Sequence, residues 1–207
     1  ALCEDALRLG SIVAELVPAE PEVHGLVALM EIQASRARAR VGPSGEPILL
    51  LDQNRAHWDQ LLISRGLAAL DRAEKISPVR GPYTLQAAIA ACHARARVSD
   101  ETDWVRISAL YEELARRTPS PVIELNRAVA VSMAHGPAAG LNLVDALVHE
   151  PSLANYHLLP SVRGDLLKKM GRFDEARAEF ENAASLAKNE REKRLLKARA
   201  EECAREL

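Results

Sequence analysis

Apolar residues recur at helical spacing along almost the whole chain. Near the N-terminus, five of them are separated by steps of three or four residues and so share one face of a helix. These five are Leu2, Ala6, Leu9, Val13 and Leu16. Prolines and glycines divide the rest of the chain into further segments of the same kind. The pattern predicts an all-α protein of about ten helices, joined as antiparallel hairpins.

The clearest internal repeat lies near the C-terminus. In it, small residues let two helices approach closely, a glycine turns the chain, and a large apolar residue fills the groove against the next unit. The residues at this spacing are Gly164, Leu167, Gly171, Ala176, Phe180 and Ala183. Gly136 lies 35 residues before Gly171, close to the repeat length of tetratricopeptide (TPR) proteins. We therefore expect the hairpins to stack as a right-handed TPR-like array.

The chain is predicted to be a single helical-repeat domain over residues 1–207. The repeat spacing is regular only in its later part. We expect an irregular helical half over 1–100, TPR-like repeats over 101–188 and a capping helix over 189–207, because a repeat stack needs a polar end. Within the first half, the glycines and prolines of 41–58 interrupt the helical pattern, which predicts a loop or arm there.

Composition narrows the possible partners and the compartment. Acidic and basic residues nearly balance, with a net charge of −2, which gives no electrostatic reason to expect nucleic acid or an anionic membrane. Three scattered cysteines indicate a reducing, cytoplasmic setting. No apolar run approaches the length of a membrane-spanning helix. The chain starts at Ala1 without a methionine, so we expect it to be a piece of a longer protein.

No arrangement of residues predicts catalysis. None of the six histidines forms a metal-binding motif, and neither a phosphate-binding loop nor a nucleophile motif is present. We therefore expect no enzyme activity, no cofactor and no metal. Arg36, Arg38 and Arg40 form a short basic stretch, but without interleaved aromatic residues it gives little support for binding nucleic acid.

The most unusual local feature is the segment DQNRAHWD at 52–59. It surrounds one of only two tryptophans with polar residues, as binding surfaces often do. An alternative is structural: an aspartate caps the following helix, Arg55 pairs with a carboxylate and Trp58 fills the core. A second polar feature, Asn126 with Arg127, lies inside an otherwise apolar helix. Such a pair must find hydrogen-bond partners, either in a groove or between helices.

Several stretches taken together resemble a known family. They are LCEDALRLG, EPEVHGLVALMEIQASRARAR, LLLDQNRAHWD, GPYTLQAAIAACHARA, TDW, PSPVIELNRAVAVSMAHGPAAGL and YHLLPSVRGDLLKKMGR. The series resembles the C-terminal TPR-like extension of bacterial extracytoplasmic-function (ECF) RNA polymerase sigma factors, in the group linked to YCII-related (DGPF-type) proteins. It covers nearly the whole chain in order. The sigma regions that bind promoter DNA are absent from it.

The resemblance implies a regulatory domain that modulates transcription initiation. Its expected partners are the N-terminal regions of the sigma factor, core RNA polymerase, or both, without direct DNA binding by this chain. No catalytic residue is carried over. The recurrent positions, of contact or framework type, fall on Asp52, Gln53, Arg55, Trp58, Asp59, Gln86, His93, Trp104, Asn126, Arg127 and Pro160.

Two other functions remain compatible with the sequence. A helical stack can hold a pocket for a small molecule, and Trp58, His93 and Trp104 are the residues expected to line it. The chain could also be a generic peptide-binding TPR scaffold, for which a groove lined by residues such as Asn126 and Arg127 is needed.

Overall fold

The structure, a computed structural model, describes residues 2–43 and 45–206. Across these residues the chain is 76% helix, with ten α-helices and no strand, so the predicted all-α fold of stacked helices is confirmed. The helices are α1 (Leu2–Leu16), α2 (Pro21–Ser35), α3 (Gln60–Ile76), α4 (Pro82–Arg95), α5 (Trp104–Arg117), α6 (Pro121–His135), α7 (Pro137–Asp145), α8 (Leu158–Lys169), α9 (Phe173–Leu186) and α10 (Glu190–Arg205).

The chain divides into two compact units between Thr118 and Pro119. Helix α5, which falls in the stretch predicted as TPR-like repeats, belongs to the first unit. The grouping of the whole chain as one repeat domain stays a prediction.

Helix α2 is the centre of the first unit and packs against α1, α3 and α4. Two glycines make this possible. A Cβ atom on Gly25 would lie 2.7 Å from the backbone nitrogen of Thr84 in α4, and one on Gly66 of α3 would lie 3.1 Å from the Ala28 carbonyl oxygen. Real Cβ atoms essentially never come within 3.0 Å of backbone, so a larger residue at Gly25 would push α2 and α4 apart. At Gly66 the backbone distance is merely tight, but a Cβ atom would also lie 2.6 Å from the Ile32 side chain.

A side chain of α2 also fixes where α4 begins. The Glu22 carboxylate accepts hydrogen bonds from the backbone N–H groups of Tyr83, at 2.7 Å, and Thr84, at 3.1 Å, as well as from the Thr84 hydroxyl. The first N–H groups of a helix have no partner within the helix. A carboxylate there also interacts favourably with the positive end of the helix dipole. Glu22 therefore joins α2 and α4 through a cap supplied from a distant part of the sequence.

An irregular arm connects α2 to α3 over residues 36–59. Helix α2 ends at Ser35 rather than near Arg40, since the Ser35 carbonyl accepts a hydrogen bond from the Asp59 N–H at 2.9 Å. The arm contains short 3₁₀ turns and one antiparallel bridge between Val41 and Pro47. At its end, the Asp59 side chain caps α3.

The second unit is built from helices that each pack against the next in sequence, from α6 to α10. Gly136 and Gly171 have φ angles of 95° and 74° at two of the turns, which favours glycine at both positions. The Phe180 ring is fully buried and lies against Gly164, where an added Cβ would be 2.9 Å from the ring. Leu167, Ala176 and Ala183 are fully buried as well.

Candidate functional site

The first candidate is an exposed apolar stripe on α1. Helix α1 contains no fully buried residue. The side turned to α2 carries small residues, with Gly10 near Val27 and Met30 of that helix. Apart from the half-buried Leu7, the larger apolar side chains are exposed and form what we call the α1 stripe, with exposed fractions of 86% for Leu2, 58% for Leu9, 45% for Ile12, 45% for Val13 and 75% for Leu16.

The predicted DQNRAHWD segment instead anchors the arm to α4. Arg55 is buried, and its guanidinium donates hydrogen bonds of 2.8 Å to the carbonyl oxygens of both His93 and Ala96. A third bond, of 2.9 Å, goes to the Thr102 hydroxyl. These carbonyls lie at the end of α4, where the helix itself supplies no donors. Arg55 thus serves as a C-terminal cap. Among the described residues no carboxylate bonds to its guanidinium, so the predicted pairing of Arg55 with a carboxylate is wrong.

Trp58 lies inside the first unit and is only 3% exposed. It packs with Ala39 and Ile63, and the guanidinium groups of Arg36 and Arg55 lie 5.2 and 5.3 Å from its ring centre. Cation–π contacts of this kind hold the ring in place. The position of Trp58 fits the structural alternative and leaves no exposed ring to anchor a partner.

The second candidate is a cavity of about 170 Å³ in the first unit, which we call the His93 cavity. It lies among α2, α4, α5 and the arm. Its apolar lining is Leu29, Leu50, Ile89 and Ala90, and its polar lining is Gln33, Arg36, Gln86, His93 and Tyr111. The small-molecule alternative expected Trp58, His93 and Trp104 to line one pocket. Only His93 lines this cavity, while Trp58 lines a separate depression beside Arg97.

Positive charge dominates the His93 cavity. No aspartate or glutamate is among the described residues that line it. Burial, followed by repulsion from Arg40 and Arg55, lowers the pKa of Arg36 to about 10. Burial, followed by the charges of Arg55 and Arg36, lowers the pKa of His93 to about 4, so its ring is neutral at pH 7. Burial also raises the pKa of Tyr111, which keeps its hydroxyl protonated.

The remaining predicted positions are spread over the molecule. Gln53 is buried and accepts from the Arg36 guanidinium at 3.2 Å, while Asp52 is exposed. Trp104 is half-buried, with its ring edge-on to His93 at 5.2 Å between centroids.

In the second unit, the predicted polar pair separates into two environments. Asn126 is exposed, whereas Arg127 binds Glu124 of its own helix at 2.8 Å. Pro160 is buried in the first turn of α8. The predicted contact positions therefore do not form one surface.

Sequence reasoning did not place three of the five polar residues that line the His93 cavity in a pocket: Gln33, Arg36 and Tyr111. The basic stretch containing Arg36 is divided by the structure. Arg36 is half-buried and bound to Gln33 and Gln53, whereas Arg38 is exposed. The sequence signal for this contact was the spacing of Gln33 and Arg36, which lie three positions apart at the end of α2 and so share one side of the helix.

Residues 2–43 and 45–206 contain neither a candidate metal site nor a candidate membrane-spanning helix. Those residues contain no group of three or more His, Cys, Asp or Glu side chains placed to hold a metal ion. Among their helices, none has the length and apolar character needed to cross a membrane.

The chain is similar to a protein family and to a bacterial protein, and neither has an assigned function. Residues 1–74 match a family described as a family of unknown function (DUF6596). An uncharacterized protein of Rhizobium meliloti (strain 1021) is 48% identical over 188 residues, which is 91% of this chain. The chain spans only 44% of the length of that relative. No solved structure matches the chain.

Proposed function

We propose that this chain is a regulatory, protein-contacting region of an ECF-type sigma factor. It modulates transcription initiation by binding the sigma regions of the same protein, with core RNA polymerase as the alternative partner. In this account it contributes no catalytic group and does not bind promoter DNA by itself.

The α1 stripe is the observation that carries the proposal. Its side chains recur at helical spacing and stay exposed. Full burial of one leucine side chain stabilises a folded protein by about 1.5–3 kcal/mol, so leaving several exposed forgoes a large stabilisation. A contiguous apolar patch on a protein surface marks a place where another surface binds. An amphipathic helix of 15 residues with such a face matches a groove on a partner protein.

The choice of partner rests on the sequence resemblance and on the size of the relative. The resembling stretches run through the chain in order, from LCEDALRLG to YHLLPSVRGDLLKKMGR. More than half of the Rhizobium meliloti relative lies outside the matched part. A protein of this kind therefore has other regions of its own that could cover the α1 stripe.

Of the two other functions, small-molecule sensing is favoured by the His93 cavity, and the two roles are compatible. The generic peptide-binding scaffold has less support. It needs a groove with free polar side chains, yet Arg127 is already bound to Glu124.

The test is a binding experiment with the purified chain as bait. Sigma regions encoded beside this chain in its own gene, and core RNA polymerase from the same cells, are offered separately as prey. We expect retention of the sigma regions with an affinity in the micromolar range or tighter, about −8 kcal/mol or more favourable. If the chain retains core RNA polymerase but not the sigma regions, core polymerase is the partner.

Two results would contradict the proposal. One is a gene in which no sigma regions accompany this chain. The other is a chain that is folded by circular dichroism but retains neither prey.

A further inference from the structure

We propose that the His93 cavity binds a small organic oxyanion, with the anionic group on Arg36 and the apolar part against Leu50 and Ile89. The ligand class is a carboxylate or phosphate carried on a short apolar or aromatic group. This site belongs to the first unit alone and does not depend on the proposed sigma partner.

The first reason is a half-buried cation without a counterion. Among the described residues, Arg36 forms no ion pair with a carboxylate; its guanidinium donates only to the neutral side chains of Gln33 and Gln53, each at 3.2 Å. A guanidinium has five N–H donors, so several remain free. Arg40 and Arg55 add positive charge nearby. An anion placed here would offset both the repulsion and the cost of burial.

The second reason is a buried polar atom without a partner. The His93 side chain is 8% exposed, and within the described residues its Nδ1 atom makes no hydrogen bond. Buried polar atoms are normally paired, so this unbonded nitrogen leaves the His93 ring, which lines the cavity, without a fixed hydrogen-bond partner at Nδ1 within these residues. Because the ring is neutral at pH 7, it can donate one hydrogen bond to an anion.

The third reason is the size and division of the cavity. A volume of about 170 Å³ is close to that of an engineered cavity of about 150 Å³ that holds benzene. Apolar side chains line one part, while Arg36, His93 and Tyr111 line another. This combination selects a molecule with an apolar body and one anionic end.

The experiment titrates the full chain, labelled with ¹³C at histidine and tyrosine side chains, with benzoate and with phenyl phosphate. Benzamide, which has the shape of benzoate without its charge, is the neutral probe. We expect saturable shifts of the His93 and Tyr111 signals with at least one anion at concentrations up to about 10 mM, the affinity range of such small ligands. Whichever of benzoate and phenyl phosphate binds with the lower dissociation constant shows whether the site prefers a carboxylate or a phosphate.

Variants assign the binding to the cavity. Arg36→Gln is expected to weaken binding at least about tenfold, because a charged hydrogen bond is lost. The exposed neighbour provides the control, and Arg38→Gln should stay within about twofold, since exposed charges are screened. Should Arg36→Gln fail to fold, Tyr111→Phe removes only a hydroxyl and should weaken binding about threefold.

Three outcomes would overturn the proposal. They are the absence of saturable shifts with both anions, benzamide binding as well as benzoate, and equal binding by the folded Arg36→Gln and Arg38→Gln chains. A negative result here would leave the sigma-binding experiment unaffected, because that experiment tests the α1 stripe.

Discussion

Replacing Phe180 with alanine is expected to lower the free energy of unfolding by about 3–5 kcal/mol. The ring is fully buried, lies against Gly164 and has the Arg199 guanidinium 4.6 Å from its centre. Removing it leaves a cavity that the surrounding helices fill only in part. Urea denaturation followed by far-ultraviolet circular dichroism measures the loss.

Leu195→Ala is the matched control for this substitution. Leu195 lies on α10, is 38% exposed and loses much less apolar contact on truncation. We expect its effect to stay below about 1 kcal/mol. Equal denaturation midpoints for the Phe180→Ala and unsubstituted chains would contradict the repeat register deduced for α8 and α9.

Replacing Arg55 with alanine is the second large effect, and we expect a loss of about 3–5 kcal/mol. Two hydrogen bonds from a charged group to carbonyls at the end of α4 disappear, each worth about 1.5–3 kcal/mol. The Thr102 hydroxyl and the Trp58 ring lose a partner as well. Both tryptophans of the chain, Trp58 and Trp104, lie in the first unit, so tryptophan fluorescence during urea denaturation reports the change.

Two further variants separate the role of hydrogen bonding from that of charge. Arg97→Ala removes an exposed arginine that follows Ala96 in the chain and should change stability by less than about 0.5 kcal/mol. Arg55→Lys keeps the charge but lacks the planar fork, so it should recover only part of the loss. A fully stable Arg55→Lys chain would mean that the charge alone, without the three directed bonds, holds the arm on α4.

Much of the fold follows from local sequence signals. Apolar spacing with Pro at helix starts is a property of adjacent residues, so it located all ten helices of the described chain. The spacing of Gly164 and Phe180 implies one particular contact between neighbouring helices, and the structure places these residues together. Such features need no knowledge of distant parts of the chain.

The direction of the α1 stripe could not be predicted in the same way. Periodicity states which residues share a helix face, but the face that packs depends on what its neighbour offers. Here α2 comes close at Gly10, so the small-residue side faces inwards and Leu9 and Leu16 remain exposed. Without the position of α2, the larger apolar side chains would be assigned to the core.

The His93 cavity and the Arg55 cap depend on contacts across long sequence separations. Arg55 binds residues 38 to 47 positions away, and Glu22 caps a helix that begins some 60 positions later. The sequence singled out Arg55 and His93 individually as unusual polar residues. It did not indicate that Gln33 and Tyr111 would join His93, because four separate segments must meet to form that cavity.

The most direct test of the central claim is a calorimetric titration of the sigma regions with a chain carrying both Leu9→Glu and Leu16→Glu. Its control is Leu61→Glu, which makes the same change at a leucine that is 67% exposed and lies outside the α1 stripe. We predict that the double variant, still folded, binds at least about tenfold more weakly, while the control binds like the unsubstituted chain. Equal dissociation constants for all three chains would contradict this prediction.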